Sequence, residues 1–277
     1  MAVVVLAHNE ARRIARCLDA LPRAEGISIH CVVNGSTDST AAIARSRRDV
    51  DVREYPRGGK ARSWNRFVLE EAPRDIETFV FVDGDAQVAA GSVEALSLAL
   101  ARNPGANAAA GMPLNGRRAE RYRAEMIASH GLFGDLYALR GTFVERMRQA
   151  GIRLPEDLVG DDSLIGALAK TDLGNEDCWV DARIVPCVEA GFRCDPVSWR
   201  PAQIRMQYRR MIAYSVRHRQ NAIISRIMRG PGPVGLPRQL SALYREELDR
   251  AVPGRGWRWR WFDRQALRQM RQESLPA

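Results

Sequence analysis

Apolar runs that alternate with helical patterns dominate the first hundred residues of the chain. Largely apolar runs span residues 3–7, 27–33 and 79–82, and apolar residues recur at helical spacing between them. Strands that are apolar throughout, rather than at alternate positions, are typical of parallel sheets covered by helices on both faces. The pattern therefore predicts an α/β fold with a mostly parallel sheet flanked by helices.

Polar side chains follow each of these three runs. Asn9 and Glu10 come after the first run, Asn34 and Asp38 come after the second, and an Asp-Gly-Asp tripeptide occupies residues 83–85 after the third. In open α/β sheets, ligands bind outside the carboxyl ends of the strands. The sequence therefore predicts a ligand-binding crevice at one edge of the sheet.

The Asp-Gly-Asp tripeptide has two interpretations. Two carboxylates at the mouth of an apolar strand form a hard oxygen site suited to Mg²⁺ or Mn²⁺, which usually bind through one or two carboxylates together with substrate phosphates. An Asp-Gly pair is also common in turns that bind nothing. The tripeptide alone does not distinguish a metal site from an acidic turn.

Composition narrows the class of protein. The 277 residues are 45% hydrophobic and 27% charged, which is typical of a globular protein and excludes a disordered, collagen-like or small disulfide-rich chain. Five cysteines without a Cys-x-x-Cys pair predict free thiols in a reducing compartment. No leader and no apolar run of about 18 residues is evident, so we expect a cytoplasmic protein.

Six segments stand out in order along the chain: VVVLAHNE (3–10), VVNGSTDST (32–40), GKAR (59–62), FVDGD (81–85), LYALR (136–140) and GDDSL (160–164). Together they resemble family 2 glycosyltransferases with the GT-A fold. The resemblance extends over residues 1 to about 215 and is stronger in the first half.

The resemblance implies a donor site for a nucleotide sugar, usually a UDP-linked one, and a Mn²⁺ or Mg²⁺ ion held by Asp85. Asp38 and Asp83 would approach the nucleoside, and Lys60 would lie near the base or the diphosphate. Where the family often has two acids, this chain has Val33 and Asn34. The donor-binding residues implied are Ala7, Asn9, Glu10, Asn34, Asp38, Lys60, Asp83 and Asp85.

The Asp161-Asp162 pair has both a structural and a chemical interpretation. Acids that open a helix cap its free N–H groups. The resemblance instead implies that Asp162 is the catalytic base and that Asp161 replaces the family's Glu. It also places Arg140, Asp161 and the Gln207-x-x-Arg210 pair near the acceptor or the phosphates, and a solvated helix face is the structural alternative for that pair. Met211 replaces the Trp of processive members, which favours a non-processive enzyme.

Residues 199–277 hold 17 arginines and five acidic residues, a net charge of +12, whereas the rest of the chain has a net charge of −3. Such asymmetry indicates an anionic partner. The Trp257-Arg-Trp-Arg-Trp261 segment favours an anionic membrane surface, which would place the protein on the inner face of the cell membrane. Packing of this segment on the catalytic domain is the structural alternative, and we expect no nucleic-acid partner.

Taken together, these features predict residues 1–112 as a nucleotide-sugar-binding half and residues 113–229 as an acceptor-binding half of one catalytic domain. Residues 230–277 would form a basic helical C-terminal appendage. The predicted activity is a metal-dependent, inverting, non-processive transfer of a sugar to a glycan or a lipid-linked acceptor. Two alternatives remain, a nucleotidyltransferase of similar fold and a non-enzymatic module that binds RNA or membrane through the tail.

Overall fold

The first strand separates two hydrophobic cores. A computed structural model describes residues 1–195, 201–250, 252 and 254–274, with the backbone alone described for residues 201–204. Strand β1 (Ala2–Ala7) is buried along its whole length. Because successive side chains of a strand point to opposite faces, Val4 and Leu6 enter one core while Val3 and Val5 enter the other.

The described residues form one eight-stranded sheet in the order β3-β2-β1-β4-β7-β6-β8-β5. The pairs among β1 to β4 are parallel, β7 is antiparallel to both of its neighbours, and β8 is parallel to β6. The predicted α/β sheet is therefore confirmed. The remaining strands are β2 (Ser28–Asn34), β3 (Val50–Tyr55), β4 (Thr78–Asp83), β5 (Ala86–Val88), β6 (Ala108–Pro113), β7 (Leu136–Arg140) and β8 (Ile184–Cys194).

Helices cover both faces of the sheet. A π-helix, Asn65–Glu71, continues directly from α3, and short 3₁₀ turns lie between several of the later elements. The α-helices are α1 (Ile14–Asp19), α2 (Thr40–Arg45), α3 (Lys60–Trp64), α4 (Ser92–Arg102), α5 (Ala119–Ser129), α6 (Gly141–Gln149), α7 (Asp161–Thr171), α8 (Pro201–Arg229), α9 (Tyr244–Glu247) and α10 (Arg260–Glu273). None of the described helices is both long enough and apolar enough to cross a membrane.

The chain crosses from one side of β1 to the other between β3 and β4. Since β2 and β4 flank β1, the carboxyl ends of β1 and β4 meet at a topological switch point, where such sheets form their crevices. The predicted boundary after residue 112 falls inside β6, so one sheet spans both predicted halves.

The C-terminal segment packs on the long helix α8. Ala266 and Met270 of α10 are fully buried, as is Tyr244 of α9, and all three join the core that contains Val216 and Ile223 of α8. Residues 251, 253 and 275–277 of the predicted appendage lie outside the described part of the chain. The described part of the appendage therefore contributes to a hydrophobic core that it shares with the sheet.

Three aromatic rings support the crevice from below. Phe81 of β4 stacks against Trp64 of α3 at a centroid distance of 5.6 Å and against Tyr137 of β7 at 4.7 Å. The Trp64 indole N–H donates a hydrogen bond of 3.2 Å to the Tyr137 hydroxyl. All three side chains are fully buried, so they fix α3 and β7 relative to the end of β4.

We predict that Phe81→Ala lowers the free energy of unfolding by about 3–5 kcal/mol, because the cavity left behind is enclosed by two rigid rings. Leu98→Ala is the matched control, since Leu98 is 47% exposed and its loss should change stability by less than about 0.5 kcal/mol. Urea unfolding of both variants measures the difference. Equal effects would contradict the assignment of Phe81 to the supporting core.

Candidate functional site

Hydrogen bonds with the loop after β2 fix the conformation of the loop after β1. The Asn9 backbone adopts a left-handed conformation with φ of 55°. Its N–H donates to the Ser36 hydroxyl at 3.0 Å, and its side-chain oxygen accepts the Thr37 N–H at 2.8 Å. The Glu10 N–H donates to the Thr40 hydroxyl at 2.8 Å. These bonds direct the side chains of the first loop toward the crevice.

Asp38 lies at the outer end of this pair of loops. Its carboxylate accepts hydrogen bonds from the backbone N–H groups of Ala11 at 3.1 Å and Thr40 at 3.0 Å. Although desolvation opposes ionisation, the bonds from Thr40 and Ala11 hold the pKa of Asp38 below its ordinary value. A charged hydrogen-bond acceptor therefore lines the cavity, where it suits a hydroxyl or N–H group of a ligand.

Two of the residues predicted to bind the donor lie beneath the cavity instead. Ala7 is fully buried, and Asn34 is 5% exposed. The Asn34 amide donates to the Ala7 carbonyl at 3.0 Å and accepts the Gly59 N–H at 3.3 Å. Asn34 thereby connects β1, β2 and the start of α3. Its side chain supports the loops that line the cavity and does not itself line it.

Lys60 is held between two carboxylates from distant parts of the chain. Its ammonium lies 2.7 Å from Asp83 Oδ1 and 3.2 Å from Asp161 Oδ1. Burial disfavours the charge on Lys60, but Asp161 and Asp83 outweigh it and hold its pKa well above the usual value. Gly134 borders the ammonium, since a Cβ there would make an ordinary contact with it at 3.5 Å.

Carboxylates outnumber the cations that pair with them at the end of β4. Arg13 donates to Glu10 Oε2 at 2.6 Å and lies 3.5 Å from Asp85 Oδ2. Burial and the neighbouring Asp85 charge raise the pKa of Glu10 to about 7. Burial, together with Asp135 and Asp161, also raises the pKa of Asp83. A bound cation would relieve this excess of negative charge.

Sheet register brings Asp135 and Cys194 next to the Asp-Gly-Asp tripeptide. Val82 pairs with Leu136, and Ala86 pairs with Cys194. One oxygen each of Asp85 and Asp135 and the Cys194 sulfur all lie within 4.8 Å of one another. Burial and neighbouring carboxylates raise the pKa of the Cys194 thiol, and burial and Asp85 raise that of Asp135. Three potential metal ligands therefore converge here.

Asp162 is oriented by an arginine from α8. The Arg217 guanidinium donates to Asp162 Oδ1 at 2.6 Å, and the Ser163 N–H donates to the same oxygen at 2.9 Å. Burial raises the pKa of Asp162, and Arg217 opposes this effect. Gly160, with φ of 79°, permits the approach, because a Cβ there would lie 2.6 Å from the Arg217 side chain. Asp162 therefore presents a fixed carboxylate to the cavity.

These side chains line one open cavity of about 1720 Å³. Gln207 and Arg210, one turn apart on α8, line its opposite wall together with Met211. The Gln207 amide nitrogen is buried without a hydrogen-bond partner among the described residues. The predicted site residues that the cavity brings together are Asn9, Glu10, Asp38, Lys60, Asp83, Asp85, Asp161, Asp162, Gln207 and Arg210.

Arg140 lies away from this cavity. It pairs with Thr78, the first residue of β4, because β7 runs antiparallel to β4 and therefore ends at the opposite edge of the sheet. Its guanidinium donates to the carbonyls of Leu100, Asn103 and Ala106, at 2.6 to 2.8 Å. The structure does not support a role for Arg140 at the acceptor or the phosphates, and it places this side chain at the end of α4.

We predict that Arg140→Ala lowers the free energy of unfolding by about 1–3 kcal/mol, because three carbonyl groups lose their donor. The activity supported by the cavity should stay within a few fold of the native value. Arg102→Ala, an exposed change at the end of α4, is the control and should leave stability and activity nearly unchanged. A tenfold loss of activity at native stability would instead give Arg140 a direct role.

Four side chains that pair with or join the acidic cluster were not predicted from the sequence: Arg13, Asp135, Cys194 and Arg217. Asp135 directly precedes the segment 136–140 that resembles the family, and a search for acids beside each such segment would have found it. Cys194 reaches the site through the register of β8, and Arg217 reaches it through the packing of α8. Neither can be recognised from the residues next to it in the sequence.

The fold and the crevice define an α/β protein with a cluster of carboxylates at the carboxyl ends of its parallel strands. Residues 2–155 match the family model described as Glycosyl transferase family 2, which is more than half of the chain. The chain therefore belongs to this glycosyltransferase family. No curated protein sequence gives a significant match.

Solved structures of three glycosyltransferases have a similar fold. Mannosyltransferase PcManGT from Pyrobaculum calidifontis, in complex with GDP-Man and Mn²⁺, is 20% identical with a TM-score of 0.58, over 99% of this chain and 86% of that chain. Glucosyl-3-phosphoglycerate synthase from Mycobacterium tuberculosis, in complex with UDP, is 18% identical with a TM-score of 0.54, over 86% and 81%. Residues 1–349 of TarS from S. aureus, in complex with UDP-GlcNAc, are 14% identical with a TM-score of 0.53, over 99% of this chain and 81% of that fragment.

Proposed function

We propose that this protein is a metal-dependent, inverting glycosyltransferase that moves one sugar from a UDP-linked donor to a hydroxyl group of a glycan or lipid-linked acceptor. The observation that carries this proposal is a single cavity that contains both a carboxylate cluster suited to a cation and a separate carboxylate fixed by an arginine. Family membership favours sugar transfer over the nucleotidyltransferase and the non-enzymatic binding module.

The donor would bind along residues 1–112. Asn9, Glu10 and Asp38 present polar atoms from the first two loops, and Asp83 lies at the end of the next strand. Two of the similar structures hold UDP or UDP-GlcNAc and one holds GDP-Man, so UDP and GDP are the nucleotides to compare. Residues 113–229 would contribute the acceptor side through α7 and α8.

The diphosphate end of the donor would meet both a cation and arginines. Asp85 would hold Mn²⁺ or Mg²⁺, and the convergence of ligand atoms around it fits such an ion. The ion, when bound, stabilises the negative charge that develops on the departing diphosphate. Arg210 lines the same cavity, and Arg117 and Arg118 line it without an ion-pair partner among the described residues. These side chains suit the phosphates of a donor or of a lipid-linked acceptor.

Asp162 would act as the base. Burial makes its carboxylate more basic than an exposed one, and Arg217 holds the side chain in one orientation. The carboxylate would take the proton of the acceptor hydroxyl as that oxygen attacks the sugar. Direct attack needs no covalent nucleophile, and it inverts the configuration at the anomeric carbon.

We predict that Asp162→Asn lowers kcat by about 10²–10⁴-fold, the usual contribution of a positioned base, and changes donor affinity only a few fold. UDP- and GDP-sugars would be screened with Mn²⁺, and donor binding would be measured by calorimetry. Ser163→Ala, which removes the hydroxyl next to Asp162, is the control and should retain most activity. Proton NMR of the product should show the inverted anomer. Near-native turnover of Asp162→Asn would make Asp162 only a helix cap.

The exposed part of the C-terminal segment fits an anionic membrane surface. Trp257 is 74% exposed, and Trp261 and Tyr208 are more than 40% exposed, although α10 itself is packed on the core. Arginines at positions 258, 260, 264 and 268 are exposed as well. Tyr208 contacts Trp261 and lies next to Gln207 of the cavity wall. We infer that this Arg/Trp surface binds the membrane that contains the lipid-linked acceptor.

Binding to vesicles tests this inference. We predict co-sedimentation with anionic but not neutral vesicles and a weaker association at high salt, because each arginine near the surface contributes about 1 kcal/mol. Replacing Trp257, Trp261, Arg258 and Arg264 together by Ala should abolish it. Removal of the whole segment is a poor test, since it would expose the core around Tyr244 and Met270.

The matched control replaces two exposed arginines elsewhere, Arg48 and Arg102, by Ala, and it should retain binding. Equal recovery with anionic and neutral vesicles, or an unchanged affinity of the fourfold variant, would contradict a membrane role for the Arg/Trp surface.

A further inference from the structure

Cys194 ends strand β8 at the wall of the cavity, where the register places it beside the tripeptide that contains Asp85. Its sulfur lies 3.4 Å from Asp135 Oδ1 and within 4.8 Å of a carboxylate oxygen of Asp85. Metal–ligand distances are about 2.0–2.6 Å for carboxylate oxygen and about 2.3 Å for thiolate sulfur bound to a divalent ion. Atoms this close together can therefore bind one ion simultaneously.

The surroundings of Asp135 also favour a cation at this place. Asp135 is not among the exposed residues, and no ion pair reaches its carboxylate from any residue that the structure describes. Arg13 pairs with Asp85 at 3.5 Å, but it also pairs with Glu10. A sheltered carboxylate without a cation is costly, so the arrangement is more stable with a positive ion between Asp85 and Asp135.

We propose that Cys194 and Asp135 complete, with Asp85, a mixed sulfur–oxygen site for the divalent cation of this enzyme. The inference rests on the proposed metal dependence and specifies which ions the site selects. Thiolate is a soft ligand, whereas Mg²⁺ prefers oxygen ligands alone. The site should therefore bind Co²⁺, Zn²⁺ and Cd²⁺ more tightly than Mg²⁺, and the thiol proton is released to solvent when the sulfur binds the ion.

The test follows the sulfur–metal bond directly. Cd²⁺ or Co²⁺ is titrated into the full chain without nucleotide, and the sulfur-to-metal charge-transfer absorption is recorded. We expect the band in the native protein and its loss in Cys194→Ser. Asp135→Asn should weaken Cd²⁺ binding by at least about tenfold, since the loss of an outer-sphere partner alone costs 10–100-fold.

Matched controls come from the other cysteines. Cys187→Ser changes a buried thiol on the same strand, and Cys178→Ser changes an exposed thiol. Both variants should keep the band. Cys194→Ala repeats the test in case the serine hydroxyl destabilises the end of the strand. A band that persists in both Cys194 variants, or no band at saturating Cd²⁺, would overturn the proposal.

Turnover separates this proposal from the proposed function. The ratio of Co²⁺-supported to Mg²⁺-supported turnover should fall about tenfold in Cys194→Ser, because serine replaces a soft ligand by a hard one. Sugar transfer by a protein that lacks the charge-transfer band would reject the sulfur ligand and retain the glycosyltransferase. A band in a protein that transfers no sugar from any donor would retain the metal site and reject the proposed function.

Discussion

The ion cluster around Lys60 connects the end of β4 to the start of α7, the two places where the proposed chemistry would occur. Lys60 begins α3, Asp83 ends β4, and Asp161 begins α7, so one ammonium joins three elements that are far apart in sequence. Asp161 is only 2% exposed, and its second oxygen has no partner among the described residues. Because an uncompensated buried carboxylate would be strongly destabilising, the ion pair with Lys60 stabilises the start of α7 beside the end of β4.

The C-terminal segment holds α8, which forms one wall of the cavity, in place. Gln220 of α8 is fully buried, and its amide donates to the Tyr244 hydroxyl at 2.8 Å and to the Asp157 carbonyl at 2.9 Å. These bonds connect α8 both to the appendage and to the loop that precedes α7. The cavity residues of α8 are therefore positioned by a segment that the sequence presents as a separate basic tail.

Sequence patterns identify some elements of this fold and miss others for a physical reason. Strands β1 and β4 are buried on both faces, so their composition alone reveals them. Strand β6 reads AAAGMP, and β8 contains Pro186, Glu189 and Gly191, so neither carries a strong strand signal. The register of β6 against β8 includes a shift between Ala110 and Met112. This register depends on contacts between residues that are far apart in the sequence, so no short segment contains the information.

By itself, the sequence determined the α/β class, the polar ends of the parallel strands and the family to which the chain belongs, because each of these depends on short segments. Tertiary structure decided that Asn34 supports the site, that Arg140 lies at the opposite edge of the sheet, and that Asp135 and Cys194 flank Asp85. The reason is geometric. Whether a residue at a strand end faces a crevice depends on the direction and register of that strand, and long-range packing decides both.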